Sequence, residues 1–250
     1  MSFKRNLIYF ICPFKSNDEW LLNINELKKY VHVFNNKKII TVAYGPGLVD
    51  LNKIKKIFND ESIGFVSMPN DIETGEIEPF KKMMEKVYSL DPCENTFYAH
   101  AKGVSPRYHN RKSRHLLETL KIWRNSMYHY CLRDVNGIDH ILEDFYCCGC
   151  YKRDFGIGHR SSKWHFSGTY FWFNNNKIFS NKRWIRVEGD RWAVEGYLGR
   201  LLPEEKAYCI FGEHRPMCEI IQMNTEHWRR TLPKHLRVVD FKLGNIEVDK

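Results

Sequence analysis

Two short stretches hold the side chains whose chemistry stands out. Residues 96–105, TFYAHAKGVS, finish an apolar run with His100, Lys102 and Gly103. Side chains two apart on an extended segment share a face, so alternation predicts His100 and Lys102 on one side, with a glycine to turn on. An imidazole and an ammonium at the carboxyl end of a strand suit an anionic ligand such as a diphosphate. The structural alternative is a packed histidine beside a surface lysine. Residues 165–173, HFSGTYFWF, read as a very aromatic strand in which Gly168 allows a close backbone approach. Further on, residues 189–202 (GDRWAVEGYLGRLL) have the spacing of an amphipathic helix through Trp192, Val194, Leu198 and Leu201. Glu195 lies on that helix near Trp192 and Gly199, and Asp190 sits at its start, where a carboxylate also serves as a cap.

A cluster of sulfur raises the question of zinc. Cys147 and Cys150 make a C-x-x-C, with Cys148 between them and His159 and His165 following. No second pair stands at finger-like spacing, and alternation in a strand sends Cys147 and Cys150 to opposite faces. Small buried thiols in a sheet are the expectation, with no zinc site.

The elements that must position these residues follow a regular order. Strands are expected over residues 6–13, 38–44, 62–68 and 96–101, with helices over 18–33, 51–58 and 78–90 between them. Such alternation predicts an open, mostly parallel α/β sheet with helices on both faces and right-handed crossovers. Ligands gather at the carboxyl ends of strands in these sheets, where Lys15, the Gly45–Gly47 loop, Asn70, Asp71, His100 and Lys102 all fall. A long helix follows over residues 114–132, with Leu116, Leu120, Trp123, Met127 and Tyr130 on one face and Arg114, Glu118, Lys121 and Arg124 on the other; Asp134, Asn136 and Gly137 close it. Residues 140–152 have a strand-like composition, residues 177–184 suit a short helix or loop, and residues 208–211 an edge strand.

Composition narrows the classes. The chain has 250 residues, 43% hydrophobic and 28% charged, which is ordinary for a globular protein with a substantial core. Its net charge is +9, so nucleic acid, anionic membrane surfaces and phosphorylated ligands are all electrostatically compatible partners. The cations are scattered along the chain, which argues against a nucleic-acid module. The initial apolar run is too short to span a membrane and lacks a small-residue cleavage site, and no later run is longer. A cytoplasmic protein is expected, with eight reduced cysteines and, at most, a peripheral membrane contact through basic residues.

Several pieces in order carry a resemblance. They are Tyr98, His100, Lys102 and Gly103 at a strand end; Trp123, Arg124 and Met127 on the next helix; the run from His165 to Phe173; and Trp192 with Glu195. Between about residues 98 and 202 the chain resembles bacterial and viral glycosyltransferases related to the rhamnan-synthesis proteins, which are similar to GT-A sugar-nucleotide transferases. The resemblance implies a GT-A-like fold with a Rossmann-like half. It further implies transfer of a sugar from a nucleotide-sugar co-substrate to a glycan or other hydroxyl acceptor, in polysaccharide or glycoprotein glycan synthesis. One domain over residues 1–212 is expected, with the donor half at 1–103, the acceptor and catalytic half at 104–212, and a basic extension at 213–250.

Glu195, then Asp190, are the candidate bases for the acceptor hydroxyl. His100 and Lys102 are candidates for the donor diphosphate, and His165, Trp172 and Trp192 for contacts to sugar. GT-A enzymes usually end the fourth strand with an acid-x-acid metal motif, and this sequence has His100 and Lys102 there. Lysine can offset diphosphate charge directly, which makes a metal-free donor site the favoured expectation. The alternative is Mg or Mn on Glu188 and Asp190. Competing classes are a non-catalytic carbohydrate-binding relative of the fold and a nucleic-acid-binding protein.

Overall fold

The computed structural model describes residues 2–102, 104, 114–153, 162–189 and 191–211, with backbone only for residues 114–119. Continuous apolar runs separated by amphipathic helices can bury both sheet faces only if the helices pack on both sides. That arrangement is observed. Strands β1 (Lys4–Ile11), β2 (Lys38–Tyr44), β3 (Ile63–Pro69) and β4 (Glu94–His100) pair in parallel in the order β3-β2-β1-β4. Beyond β4 the sheet continues through β8 (Phe171–Asn174), antiparallel to both its neighbours, then β5 (Cys147–Cys150) and β9 (Ala207–Phe211), which run parallel to each other. A two-stranded ribbon, β6 (Lys152–Arg153) with β7 (His165–Phe166), stands apart. The fold is thus an open, mostly parallel α/β sheet, as the alternating pattern predicts.

Period-two alternation divides the core. Leu7, Tyr9, Ile11, Phe97, Ala99 and Ala101 face one layer, filled by Trp20, Ile24 and Leu27 of α1 (Glu19–Lys28), Ile54 and Phe58 of α2 (Leu51–Phe58), Trp123 and Met127 of α4 (Arg114–Leu132), and Ile138 and Leu142 of α5 (Val135–Asp144). Ile8, Ile39 and Tyr98 face the other layer, filled by Phe80, Met83 and Met84 of α3 (Ile77–Val87), Phe179 of α6 (Asn175–Phe179) and Leu198 of α7 (Tyr197–Leu201). Each large side chain so buried contributes about 2–3 kcal/mol of transfer free energy. Caps set the helix ends: Asp50 accepts from the Asn52 amide at 2.7 Å, and α2 stops at Asn59, which takes the left-handed conformation at φ 49°.

The structure departs from the periodic reading at four places. Asp134 does not close α4 but starts α5, accepting from the Gly137 amide at 3.0 Å, so the strand-like composition of 140–152 is helix as far as Asp144. Its apolar positions, Ile138, Ile141 and Leu142, are at helical spacing. The aromatic run 165–173 is broken into β7 and β8 by a turn in which Gly168 has φ +95° and Thr169 +64°. Residues 191–196 form turns, and the helix expected over 189–202 is limited to α7. Arg124 is buried, its guanidinium 2.8 Å from Glu19 of α1, so the polar face of α4 pairs with another helix.

The amino edge of the sheet is closed by a buried polar seam. Asn6 Nδ2 donates to Glu94 Oε1 at 2.7 Å, Thr96 Oγ1 to Asn175 Oδ1 at 2.6 Å, and Asn95 Nδ2 to Asp139 Oδ1 at 2.7 Å. The other Asp139 oxygen receives two donors from Arg5, at 2.8 and 2.5 Å. No helix among the described residues is long and apolar enough to cross a membrane.

Candidate functional site

The opposite, carboxyl edge is where the loops after β1 to β4 converge. The segment after β1 and the Gly45–Gly47 loop are bonded together: the Lys15 amide donates to the Gly47 carbonyl at 2.9 Å and the Val49 amide to the Pro13 carbonyl at 2.8 Å. Gly47 has φ +77°, which a side chain would strain, although open space surrounds it. Cys12 Sγ lies 3.5 Å from Asn70 Oδ1, and burial pushes its thiol up to about 12, so it is a weak nucleophile here.

The ends of the His100/Lys102 pair are held by different layers. His100 Nδ1 is 2.7 Å from Glu76 Oε2, the oxygen that also accepts from the Tyr98 hydroxyl at 2.7 Å. Glu76 immediately precedes α3, on the Tyr98 face of the sheet. The Lys102 ammonium instead lies 4.7 Å from the ring of Trp123, on the opposite face. Alternation fails there because β4 ends at His100 and the chain turns at Lys102. What fixes that turn is Asn23, a fully buried amide on α1. Its Nδ2 donates to the Lys102 carbonyl at 2.8 Å, and its Oδ1 accepts from the Lys102 amide at 2.9 Å. Tyr170 steadies the preceding residue, its hydroxyl donating to the His100 carbonyl at 2.9 Å. Burial raises the hydroxyl pKa values of Tyr98, Tyr128 and Tyr170 well above the phenol range, which keeps these groups protonated donors.

The second half of the chain reaches the same place through Gly168. Its amide donates to Glu195 Oε1 at 2.9 Å, so a turn residue orients the buried carboxylate. A side chain at Gly168 would lie 2.7 Å from Met127 Sδ and 3.0 Å from the Trp123 ring. Glycine is therefore required twice, by its φ and by close packing. The Trp123 ring thus carries the Lys102 ammonium on one side and leaves no room for a side chain at Gly168, whose amide holds Glu195.

The other predicted residues are placed as follows. His165 is buried in β7, with Nε2 3.4 Å from Ser167 Oγ. Trp192 is half-exposed, with the Arg191 guanidinium 5.1 Å from its ring. Trp172 is a correction. It is fully buried in β8, its ring 5.7 Å from Phe34 and 5.3 Å from Phe97, with its indole N–H donated to the Cys131 carbonyl at 2.7 Å. It has no face to offer a sugar and is a core residue. Asp190 lies outside the described residues. Cys147 and Cys150 pack in opposite layers, both buried, with their thiols pushed far up by desolvation.

Sequence reasoning missed Glu76, Asn23, Tyr170 and Trp123 as parts of this site. Asn23 did carry a signal, since it interrupts the apolar stripe of Trp20, Ile24 and Leu27. Nothing local marks Glu76 among the neighbouring acids. A hard divalent cation finds a poor donor set at the end of β4: one imidazole and one carboxylate, Glu76, whose Oε2 is already engaged by His100 and the Tyr98 hydroxyl. Among the described residues no group of three metal-ligating side chains converges.

No known protein family matches the chain, and no functionally curated protein is similar to it, so the rhamnan-synthesis resemblance rests on its motifs alone. Among solved structures, the chain is similar to a protein from Desulfovibrio desulfuricans G20 assigned as a nucleotide-diphospho-sugar transferase (TM-score 0.43, 11% identity, 100% of both chains covered). It is also similar to 4-diphosphocytidyl-2C-methyl-D-erythritol synthase (TM-score 0.42, 12% identity, 96% of this chain and 99% of that one). A third similarity is to the galactosyltransferase LgtC crystallised with donor and acceptor sugar analogs (TM-score 0.38, 10% identity, 81% of this chain and 72% of that one). At such scores these likenesses carry no argument about function.

Proposed function

We propose that the carboxyl edge binds the diphosphate of a nucleotide-sugar and that the protein transfers the sugar to a hydroxyl acceptor. The observation that carries this is the convergence of Lys102 and Glu195, far apart in sequence, on the same Trp123–Gly168 contact. A cation and an oriented carboxylate are the two charges that glycosyl transfer needs. Glu195 takes the proton of the acceptor hydroxyl as its oxygen bonds to the anomeric carbon. The bond from that carbon to the diphosphate oxygen breaks, and the leaving diphosphate keeps the electron pair. Lys102 from the Trp123 side of the strand end, and His100 from the Glu76 side through its other ring edge, offset the charge that develops there.

A panel of UDP-, GDP- and dTDP-sugars, with and without Mn, tests this. Expected are turnover of one donor, loss of turnover by at least about a hundredfold in Glu195→Gln with unchanged melting, and about tenfold weaker nucleoside-diphosphate binding in Lys102→Ala. Full activity of Glu195→Gln removes it as the base. Diphosphate binding without turnover of any donor favours a non-catalytic binding relative.

A further inference from the structure

The amino edge of the sheet carries a feature that sugar transfer does not use. After α3 the chain exposes Tyr88 and Leu90 (45% and 51%), and after α6 it exposes Ile185 (38%). These form one patch. The Tyr88 ring lies 5.1 Å from Phe179 and 5.6 Å from the half-buried Trp184, and Asn176 Nδ2 donates to the Leu90 carbonyl at 2.7 Å, tying the two loops together. The Trp184 carbonyl is anchored by the Tyr197 hydroxyl at 2.7 Å. Flanking Trp184 are Lys182, Arg183 and Arg186, all exposed, and Lys86 is exposed at the end of α3. Among the described residues none of these four cations forms an ion pair, whereas Lys81 and Lys82 of α3 pair with Glu78 and Glu85.

We propose that this patch docks on the surface of an anionic lipid bilayer, with Tyr88, Leu90, Trp184 and Ile185 at headgroup depth and Lys182, Arg183 and Arg186 on anionic headgroups. Trp and Tyr, with an apolar body and a polar tip, beside exposed Leu and Ile and ringed by Lys and Arg, are the residue types that favour the interface between water and hydrocarbon. The unpaired cations complement a negative leaflet. The apolar side chains present about 400 Å² at most, taking half-exposed groups of about 200 Å² each. A stable protein interface takes roughly 800 Å² from each partner, so a protein occupant fits less well. The patch lies near the start of β4 and the candidate site at its end, seven residues of strand away, or roughly 20 Å. Docking therefore leaves the carboxyl edge facing away from the lipid, and the inference stands or falls independently of the transfer reaction.

Sedimentation of the full chain with vesicles tests it. Binding is expected to vesicles of phosphatidylcholine mixed with phosphatidylserine and not to phosphatidylcholine alone, and to fall as salt rises. The pair Leu90→Asp with Ile185→Asp, and the pair Lys182→Glu with Arg183→Glu, are each expected to weaken binding at least tenfold without a change in melting. The pair Lys55→Glu with Lys56→Glu, on exposed positions of α2, makes the same charge change and is expected to bind as the parent does. Failure to sediment with anionic vesicles overturns the proposal, as does equal loss in the α2 pair. Concentration-dependent dimerisation abolished by Leu90→Asp with Ile185→Asp also overturns it, in favour of a second copy of the chain.

Discussion

The two ends of β4 carry similar side chains and use them differently. At the amino end, Asn6, Glu94, Asn95, Thr96, Asp139 and Asn175 are buried and bonded chiefly to one another. At the carboxyl end, His100 and Lys102 keep partly exposed heads, and what is fixed is the backbone and one ring atom. A closed network spends its hydrogen-bonding capacity on holding strands and helices together. A half-open one retains capacity for a ligand. The difference separates polar residues that build the sheet from those left with bonding capacity for a ligand, which residue type alone does not do.

That contrast can be broken by experiment. Asp139→Ala leaves the buried Asn95 amide without its acceptor and the Arg5 guanidinium with Asn136 alone, so a loss of about 3 kcal/mol is expected. Urea melts should show it, while diphosphate affinity of the surviving folded fraction stays unchanged. Equal losses of affinity and stability would join the two ends into one unit. Asn23→Ala removes both bonds to the Lys102 backbone and one to the Glu19 carbonyl. It is expected to cost about 1–2 kcal/mol of stability, and in calorimetry its affinity loss should shrink when Lys102 is already alanine. Additive losses would show that Asn23 does not act through Lys102. The smallest effect on stability belongs to Glu76→Gln, which replaces a charge-assisted bond to His100 with a neutral one. Melting should shift by less than about 1 kcal/mol, while diphosphate affinity drops about threefold. A larger loss of stability than of affinity would move Glu76 to the structural side of the comparison.

Much of the frame was legible because its signals are local. The bounds of β2 and α2 follow directly from their apolar runs and from the turn residues beside them. Residues 134–144 were misread because Asp134, Asn136 and Gly137 suit a helix end as well as a helix start, and only the hydrogen bond that the Asp134 carboxylate accepts from the Gly137 amide separates the two. Trp172 and Trp192 have the same composition value in a sequence. Position between Phe34 and Phe97 makes the first a packing residue, while the second stays at the surface under Arg191.

By itself, then, the sequence determined that four strands and their helices alternate, that the resulting sheet is open and largely parallel, and that His100 and Lys102 arrive at a strand end. Periods of two and 3.6 are properties of neighbouring residues and need no knowledge of the rest of the chain. Only the tertiary structure decided that Lys102 turns away from the His100 side, that Gly168 breaks the aromatic run, and that Glu195 reaches the turn so formed. Each of these depends on a partner distant in sequence: Asn23 for the Lys102 backbone, Trp123 and Met127 for Gly168, and the Gly168 amide for Glu195. Long-range contacts of this kind leave no period behind, because a single buried hydrogen bond or close approach constrains one position and not a repeating series.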